Sequence, residues 1–237
     1  MKVAIMQPYF FPYIGYFSLI KHTDRFILFD PVQYIRHGWI DRNRVLKQNE
    51  GWLYIQVPLI NKNRNSLIKD LLIDNNQNWK EKIIAQLQIY KKKKAPNFFK
   101  VMDLVKTIFS KEYTNIVELN KIIIQTLCAY LGIKADILIF SGMNLEIDEV
   151  KAPDEWALNI CKALGNVDEY WNPPGGQSFF NKDKYDTSGI KLYFQSVHLS
   201  QYNQNDQIFE SGLSILDVLM FNSVEQIHNM LDDYELL

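Results

Sequence analysis

Three arginines, a histidine and two tryptophan or tyrosine rings crowd the segment from Asp30 to Leu46, DPVQYIRHGWIDRNRVL. A guanidinium offers a planar fork of donors and stacks on aromatic rings, so this segment could clamp a phosphate or a carboxylate. His37 is the candidate general base, because imidazole changes its charge near neutral pH. The alternative is a surface loop held by arginine–aspartate pairs. The predicted substrate contacts of the segment are Gln33, Arg36, Trp39, Arg42, Asn43 and Arg44.

The opening segment QPYFFPYIGYF, residues 7–17, is dense in aromatic side chains directly after the first apolar run. Its phenylalanines are typical of core packing. Its tyrosines offer hydroxyls and flat ring faces that suit a base or a sugar. A glycine where a helix should begin would let a ligand approach exposed backbone N–H groups. The predicted substrate contacts here are Gln7, Tyr9, Tyr13, Gly15 and Tyr16.

A third candidate is the PPGGQS segment, residues 173–178. Its composition is first of all typical of a turn, in which Gly175 or Gly176 supplies a positive φ. Its place after a predicted parallel strand raises the alternative that its backbone amides, at Gly175 and Gly176, bind an anion. The segment lacks the Lys-Ser/Thr of a phosphate loop, and GxGxxG does not occur in the chain.

Neither the histidines nor the cysteines have a metal-ligand spacing, so we expect no metal site. No motif identifies a cofactor. Cys128 and Cys161 lie on apolar helical stretches and are predicted to be buried thiols, which is typical of a reducing cytoplasm. The histidines without a second ligand at i+2, i+3 or i+4 are His22, His37, His198 and His228.

The elements that must position these residues alternate between strands and helices. KVAIM and RFILFD predict buried strands around a helix from Gly15 to Thr23, which makes a βαβ unit. ADILIFSG, DEWALNICKALG and VDEYWNP predict a second strand–helix–strand unit, whose helix ends at Gly165. Loops at the carboxyl ends of parallel strands form the ligand crevice of an open sheet. All three candidate segments follow such strands.

Between the two units, WLYIQVPLI and SLIKDLLID predict strands, and an amphipathic pattern predicts helices near Asn76–Lys92, Phe98–Ser110 and Asn115–Leu131. SILDVLMF and VEQIHNMLDDY predict helices at the C-terminus, with Asp217 on a helix face. We therefore predict an α/β fold with a mainly parallel, Rossmann-like sheet, a helical insertion at about residues 76–132 and C-terminal helices. One domain is predicted to cover residues 1–237.

Composition restricts the partners of such a domain. The chain has 26 Lys and Arg against 27 Asp and Glu, and this net charge of -1 provides no field that favours nucleic acid. No apolar run approaches the roughly 20 residues that span a bilayer, and Gln7, Pro8 and Pro12 interrupt the first one. We expect a cytoplasmic protein without membrane insertion, in which any anionic ligand is bound by a local cluster of residues. The oligomeric state is not predicted.

The opening QPYFFPYIGYFSLI, the following DRFILFDPVQYIRHGWIDRNRVL and GWLYIQVPL resemble the WbqC-like family, whose members occur in O-antigen and other surface-polysaccharide gene clusters. APNFF, ICKALG, PPGGQSFF and LSILD follow in the order of that family. The resemblance implies a transferase that adds a glycyl, other aminoacyl or acyl group to an amino sugar, and hence a nucleotide-sugar substrate. In this hypothesis Asp30 or His37 accepts the proton of the amine.

Two further hypotheses stand beside it. PYIGYF is similar in layout to the HxGH turn of HIGH-type nucleotidyltransferases, with Tyr13 and Tyr16 in place of the two histidines. Tyrosine carries no positive charge, so stabilisation of a transferring phosphate would need other residues. The third hypothesis is a non-catalytic binding protein, because aromatic residues and arginine are also enriched at interfaces.

Overall fold

The computed structural model describes residues 1–60, 62–63 and 65–237. Its strands are β1 (Lys2–Met6), β2 (Arg25–Leu28), β3 (Arg42–Leu46), β4 (Trp52–Gln56), β5 (Leu59–Ile60), β6 (Leu72–Ile73), β7 (Asp136–Ile139), β8 (Glu169–Asn172), β9 (Lys191–Val197) and β10 (Tyr234–Leu236). Its helices are α1 (Ile14–Lys21), α2 (Trp79–Lys92), α3 (Phe98–Phe109), α4 (Ile116–Leu131), α5 (Glu155–Leu164), α6 (Lys182–Thr187), α7 (Ile215–Phe221) and α8 (Val224–Asp232). Short 3-10 helices cover Ile68–Asp70, Phe140–Gly142 and Pro174–Phe179.

The central sheet has six strands in the order β10-β9-β8-β1-β2-β7. All neighbouring strands from β7 to β9 are parallel, and β10 pairs antiparallel with β9. The predicted α/β fold with a mainly parallel sheet is confirmed. From β1 the chain first builds outward through β2 and β7, then crosses to β8 and β9 on the other side. The strand order therefore reverses between β1 and β8, where open α/β sheets bind their ligands.

The sheet is covered on both faces because its central strands are apolar on both sides. Ala4 of β1 packs into a large core that includes α1, and we call this side the α1 face. Val3 and Ile5 of the same strand pack into a second core with α5, on the side that we call the α5 face. Side chains alternate between the two faces along a strand, so Met6 and Gln7, which follow Ile5, lie on opposite faces of the sheet. Met6 contributes to the α1 face and Gln7 to the α5 face.

Helices α2, α3 and α4 occupy the predicted helical segment and pack in the core of the α1 face. The Asn115 side chain caps α4 by accepting a hydrogen bond from Val117 N at 2.7 Å, and Gly132 ends the helix with φ 69°. Gly165 likewise ends α5, with φ 78°, as predicted. No helix in the described part of the chain is long and apolar enough to cross a membrane.

Two local predictions were wrong. SLIKDLLID forms a 3-10 helix and the two-residue strand β6 rather than one strand. The predicted loop of residues 30–46 ends in β3, which pairs antiparallel with β4. Residues of β3 do alternate, but Asn43 is buried while the arginines on either side of it are half-buried. Because the buried residue Asn43 is polar, the sequence does not show the alternation of apolar and polar residues that predicts a strand.

Candidate functional site

Two clefts open at the carboxyl edge of the sheet, one on each side of the β1–β8 junction. The α1-face cleft has a volume of about 410 Å³. Its lining residues are Met6, Tyr9, Pro12, Tyr13, Trp39, Asn43, Arg44, Pro173, Pro174, Gly175, Leu199 and Gly212. The α5-face cleft has a volume of about 540 Å³. Its lining residues are Ile5, Gln7, Phe29, Val32, Val150, Lys151, Ala152, Pro153, Trp156, Ala157, Tyr170, Asn172, Phe179 and Phe180.

The opening loop, residues 7–13, is fixed through its backbone carbonyls. Asn120 donates from its side-chain amide to Pro8 O and to Ile40 O, at 2.8 Å each. Asn43 donates in the same way to Phe10 O and Phe11 O. Carbonyls of the segment accept four more hydrogen bonds: Gln7 O from Tyr16 Oη, Phe11 O from Ser214 Oγ, Pro12 O from Ile215 N, and Tyr13 O from Tyr16 N. Phe10 N donates to Trp39 O at 2.8 Å. Two prolines leave few N–H groups to satisfy, so the loop is rigid although it is irregular.

Strain in this loop is confined to Phe11, which has φ 41° and a fully buried ring. A bulky residue holds such a conformation only where its surroundings determine it. Its carbonyl accepts two hydrogen bonds, from Asn43 at 2.8 Å and from Ser214 at 2.9 Å. These contacts anchor the loop to β3 and to the start of α7.

Gly15 was expected to leave room for a ligand at the start of α1, but the structure gives a different reason for a glycine at this position. A Cβ at this position would lie 2.5 Å from the ring of Tyr13. The tyrosine ring therefore covers the start of α1, and no open space is left there for a ligand at Gly15. The glycine instead allows Tyr13 to fold back and line the α1-face cleft.

Tyr9 and Tyr13 line the α1-face cleft as half-buried rings. Burial raises the pKa of the Tyr9 hydroxyl, with a smaller contribution from Tyr13, and burial also raises the pKa of Tyr13. Both phenols are therefore protonated at neutral pH and available as donors. Tyr16 differs, because its side chain is fully buried and its hydroxyl donates to Gln7 O at 2.9 Å. It positions the loop and has no surface for a substrate.

Arg44 supplies the positive charge of the α1-face cleft. Its guanidinium lies 5.6 Å from the ring centre of Trp39 and 5.2 Å from that of Trp52. One terminal nitrogen donates to Gly212 O at 2.9 Å, and the buried Nε has no hydrogen-bond partner. Among the described residues that line the cleft, Arg44 is the one charged side chain. The arrangement favours an anion, because a buried donor without a partner is costly.

Trp39 and Asn43 also line the α1-face cleft, whereas Gln33, Arg36, His37 and Arg42 lie outside both clefts. Arg42 donates to His37 O at 2.5 Å and to Gly38 O, and its guanidinium stacks on Tyr54 at 4.0 Å. Arg36 and His37 are exposed, and His37 has φ 68°. Gln33 forms an isolated bridge with Leu67. The three arginines are therefore not brought together, and Arg44 alone reaches a cleft.

Asp30 is 1% exposed and ties two strand ends together. Its carboxylate accepts from Ser141 N at 3.0 Å and from Ser141 Oγ at 2.5 Å, in the 3-10 helix after β7. It lines neither cleft. The structure therefore gives Asp30 a positioning role at the sheet edge, and the proton acceptor of the hypothesis is not in contact with either cleft.

The Pro-Pro-Gly-Gly segment forms a 3-10 helix, and neither glycine has a positive φ, so that part of the prediction was wrong. Gly175 lines the α1-face cleft. A Cβ at Gly176 would lie 2.9 Å from the Phe179 ring and 3.2 Å from Asn172 Nδ2. The absence of a side chain at Gly176 lets Phe179 fold back toward the end of β8.

Several lining residues of the α5-face cleft were not predicted, among them Lys151, Trp156 and Asn172. Their signal in the sequence is weak, because Trp156 fits the apolar face of a helix and Asn172 ends an ordinary strand. The order of the strands in the sheet brings these residues together in the cleft. Only the crossing from β7 to β8 brings the start of α5 to the carboxyl end of β1.

Asp217, predicted on a helix face, is fully buried behind the α1-face cleft. Its carboxylate accepts from Tyr90 at 2.8 Å, Tyr202 at 2.5 Å and Gln204 at 2.7 Å. Gln204 also donates to Glu210 O. This network holds the segment that carries Leu199 and Gly212 into the cleft.

Asp217 should make the stability of the protein depend on pH. Burial raises the pKa of its carboxyl to about 6 from an ordinary 3.8, against the opposing hydrogen bonds. Because the pKa of Asp217 is higher in the folded than in the unfolded protein, its contribution to the free energy of unfolding is complete below pH 3.8 and is lost as the pH rises through 6. From pH 4 to pH 8 the free energy of unfolding should fall in the wild type by about 2 to 3 kcal/mol more than it falls in the Asp217→Asn variant. Urea denaturation at each pH measures this difference. Parallel pH curves for the two proteins would contradict this.

Comparison with known proteins shows which family the chain is similar to. The chain is 32% identical over 224 residues to the uncharacterized protein Rv1507c of Mycobacterium tuberculosis, and the match covers 93% of each chain. No solved structure is significantly similar to the chain. The model of the WbqC-like protein family matches residues 7–229, a range that contains both clefts except for Ile5 and Met6. The chain belongs to the WbqC-like protein family.

Proposed function

We propose that this protein is a cytoplasmic transferase of surface-polysaccharide biosynthesis. Its substrate is a nucleotide-linked amino sugar, and it adds an aminoacyl group such as glycyl, or another acyl group, to the sugar amine. The observation that carries the proposal is Arg44 in an aromatic cleft at the point where the strand order reverses. A diphosphate matches the guanidinium, and sugar rings pack on aromatic faces.

The charge of the clefts supports an anionic substrate. Arg44 is the charged lining residue of the α1-face cleft, and Lys151 is that of the α5-face cleft, as far as the described residues extend. No carboxylate lines either cleft within this part of the chain. The α1-face cleft is therefore positive although the overall charge is -1, whereas Lys151 of the α5-face cleft is paired with Glu149 at 3.9 Å.

The chemistry requires an activated acyl donor, a thioester or an ester. The sugar nitrogen attacks the carbonyl carbon, the N–C bond forms, the bond to the leaving thiol or alcohol breaks, and the amine proton passes to the leaving group. The carbonyl oxygen carries negative charge on the way. Tyr9 and Tyr13 are protonated donors in the cleft that would stabilise this charge.

The geometry does not favour nucleotidyl transfer. In the HxGH arrangement two side chains would contact the phosphates, and Tyr16 holds the second place. Its hydroxyl is buried on Gln7 O, so it offers no contact to a nucleotide. Only Tyr13 of the pair reaches the α1-face cleft.

Incubation with UDP-, dTDP- and GDP-linked amino sugars, together with acyl and aminoacyl thioesters, tests the function. We expect mass spectrometry to find a nucleotide sugar that has gained the acyl mass and lost one hydrogen. Pyrophosphate released from a nucleoside triphosphate with magnesium would support nucleotidyl transfer instead. Binding of a nucleotide sugar without any turnover would support the binding-protein alternative.

His37→Asn should leave transfer within roughly twofold of the wild-type rate, because surface changes away from a site cost about 0.5 kcal/mol or less. His37 is exposed outside both clefts, and asparagine tolerates its φ of 68°. The rate of acyl-sugar formation is the measurement, with Tyr13→Phe as the variant expected to slow it. A hundredfold loss in a normally folded His37→Asn protein would restore His37 as the general base.

A further inference from the structure

The α5-face cleft has aromatic walls that the proposed chemistry at Arg44 does not use. Phe29 and Trp156 form one wall, with ring centres 5.2 Å apart and planes at 63°. Phe179 and Phe180 form another, stacked at 4.8 Å and 26°. Phe179 is 52% exposed, so its ring is accessible to a ligand from solvent.

Polar groups lie between these walls. The side-chain amide of Gln7 lines the cleft and makes no hydrogen bond to another described residue. Asn172 differs, because its amide donates to Pro173 O and accepts from Tyr170. Gln7 thus offers one donor and one acceptor group side by side, beside the Lys151 ammonium.

The walls are held in place by an ion pair between the buried Asp154, at the start of α5, and the half-buried Lys184. Asp154 is 3% exposed and accepts from Lys184 at 3.2 Å and from Asn181 N at 3.3 Å. Lys184 also binds Glu155 at 2.8 Å. These bonds fasten the segment after Phe179 and Phe180 to the helix that carries Trp156, so the aromatic walls are preorganised.

We propose that the α5-face cleft binds the nucleobase of a nucleotide, and this rests on the proposed nucleotide-sugar substrate. Flat heteroaromatic rings stack on phenylalanine and tryptophan, and a free amide can pair with the polar edge of a base. An acyl chain would fill the apolar walls but leave the Gln7 amide without a partner. The volume of about 540 Å³ lies in the usual range of small-molecule sites.

This position also explains the two clefts together. Ligands of doubly wound sheets lie across the carboxyl edge where the strand order reverses. A base at Gln7 on the α5 face would let the phosphates cross the edge between β1 and β8. The diphosphate would then reach Arg44 on the α1 face, and the sugar would lie against Tyr9 and Tyr13.

Calorimetric titration of the full chain with UMP, dTMP, GMP and AMP, with their nucleotide sugars, and with a sugar 1-phosphate tests this. Phe179→Leu and Gln7→Ala should each weaken nucleotides about tenfold and leave the sugar 1-phosphate unchanged. Phe179 is exposed, so its replacement should not impair folding. Phe99→Leu is the matched control, because Phe99 is 69% exposed on α3, outside both clefts.

The outcomes separate this inference from the proposed function. Tenfold weakening of nucleotides by Phe179→Leu without any acyl transfer would support the base site and contradict the transferase. Nucleotide-sugar binding that depends on Arg44 but not on Phe179 or Gln7 would overturn the base site and leave the transferase intact. Binding of an acyl pantetheine that requires Phe179, with nucleotides unaffected, would also overturn the base site. No binding of any nucleotide would overturn both.

Discussion

Arg44→Met should weaken binding of the proposed nucleotide-sugar substrate by about 100-fold, which is about 2.7 kcal/mol. The guanidinium is the charged group of the α1-face cleft among the described residues, and its buried Nε has no hydrogen-bond partner. Loss of a charge-assisted hydrogen bond in such a place costs about 1.5 to 3 kcal/mol. Methionine keeps the length needed to pack between Trp39 and Trp52. Isothermal titration with the nucleotide sugar measures the change.

Stability of the free Arg44→Met protein should change by only about 1 kcal/mol, because one hydrogen bond, to Gly212 O, is lost. Arg36→Met is the matched control, since Arg36 lies on the surface outside both clefts. We expect it to bind like the wild type. If Arg36→Met lost the affinity and Arg44→Met kept it, the phosphates would bind at the surface of the loop and not in the cleft.

Asn120→Ala should lower the free energy of unfolding by about 3 kcal/mol, because two buried carbonyls lose their donor while the unpartnered Asn120 Oδ1 is removed as well. Asn120 is fully buried and donates to Pro8 O and Ile40 O, one carbonyl from each of the two predicted loops. Each carbonyl left buried without a donor costs about 1 to 3 kcal/mol. Urea denaturation followed by circular dichroism measures the loss.

Asn76→Ala is the control for this change, because Asn76 is exposed just before α2 and should contribute less than about 0.5 kcal/mol. The Asn120 variant should also bind the nucleotide sugar more weakly at temperatures where it remains folded, because both loops move. Equal stability of Asn120→Ala and the wild type would mean that water replaces the amide and that the loops do not depend on it.

Much of the fold follows from local patterns. β1, β2, α1 and the helices from α2 to α4 lie close to their predicted places, because apolar periodicity and glycine ends act within a few residues. β3 was missed since its inward residue is Asn43, a polar side chain satisfied by the carbonyls of Phe10 and Phe11. Those partners are more than 30 residues away, where a local pattern contains no information.

The sequence by itself determined the family, the parallel α/β class and the aromatic loop after β1, because long motifs and short continuous apolar runs can be recognised without any distant contact. Tertiary structure decided which of the predicted residues reach a cleft. Arg44 does, whereas Arg42 stacks on Tyr54 and Asp30 is bound to Ser141. The role of a side chain depends on which donor or ring, distant in sequence, lies next to it in the fold. The order of the strands decides this: it brings Trp156 of α5 into the same cleft as Gln7, which follows β1.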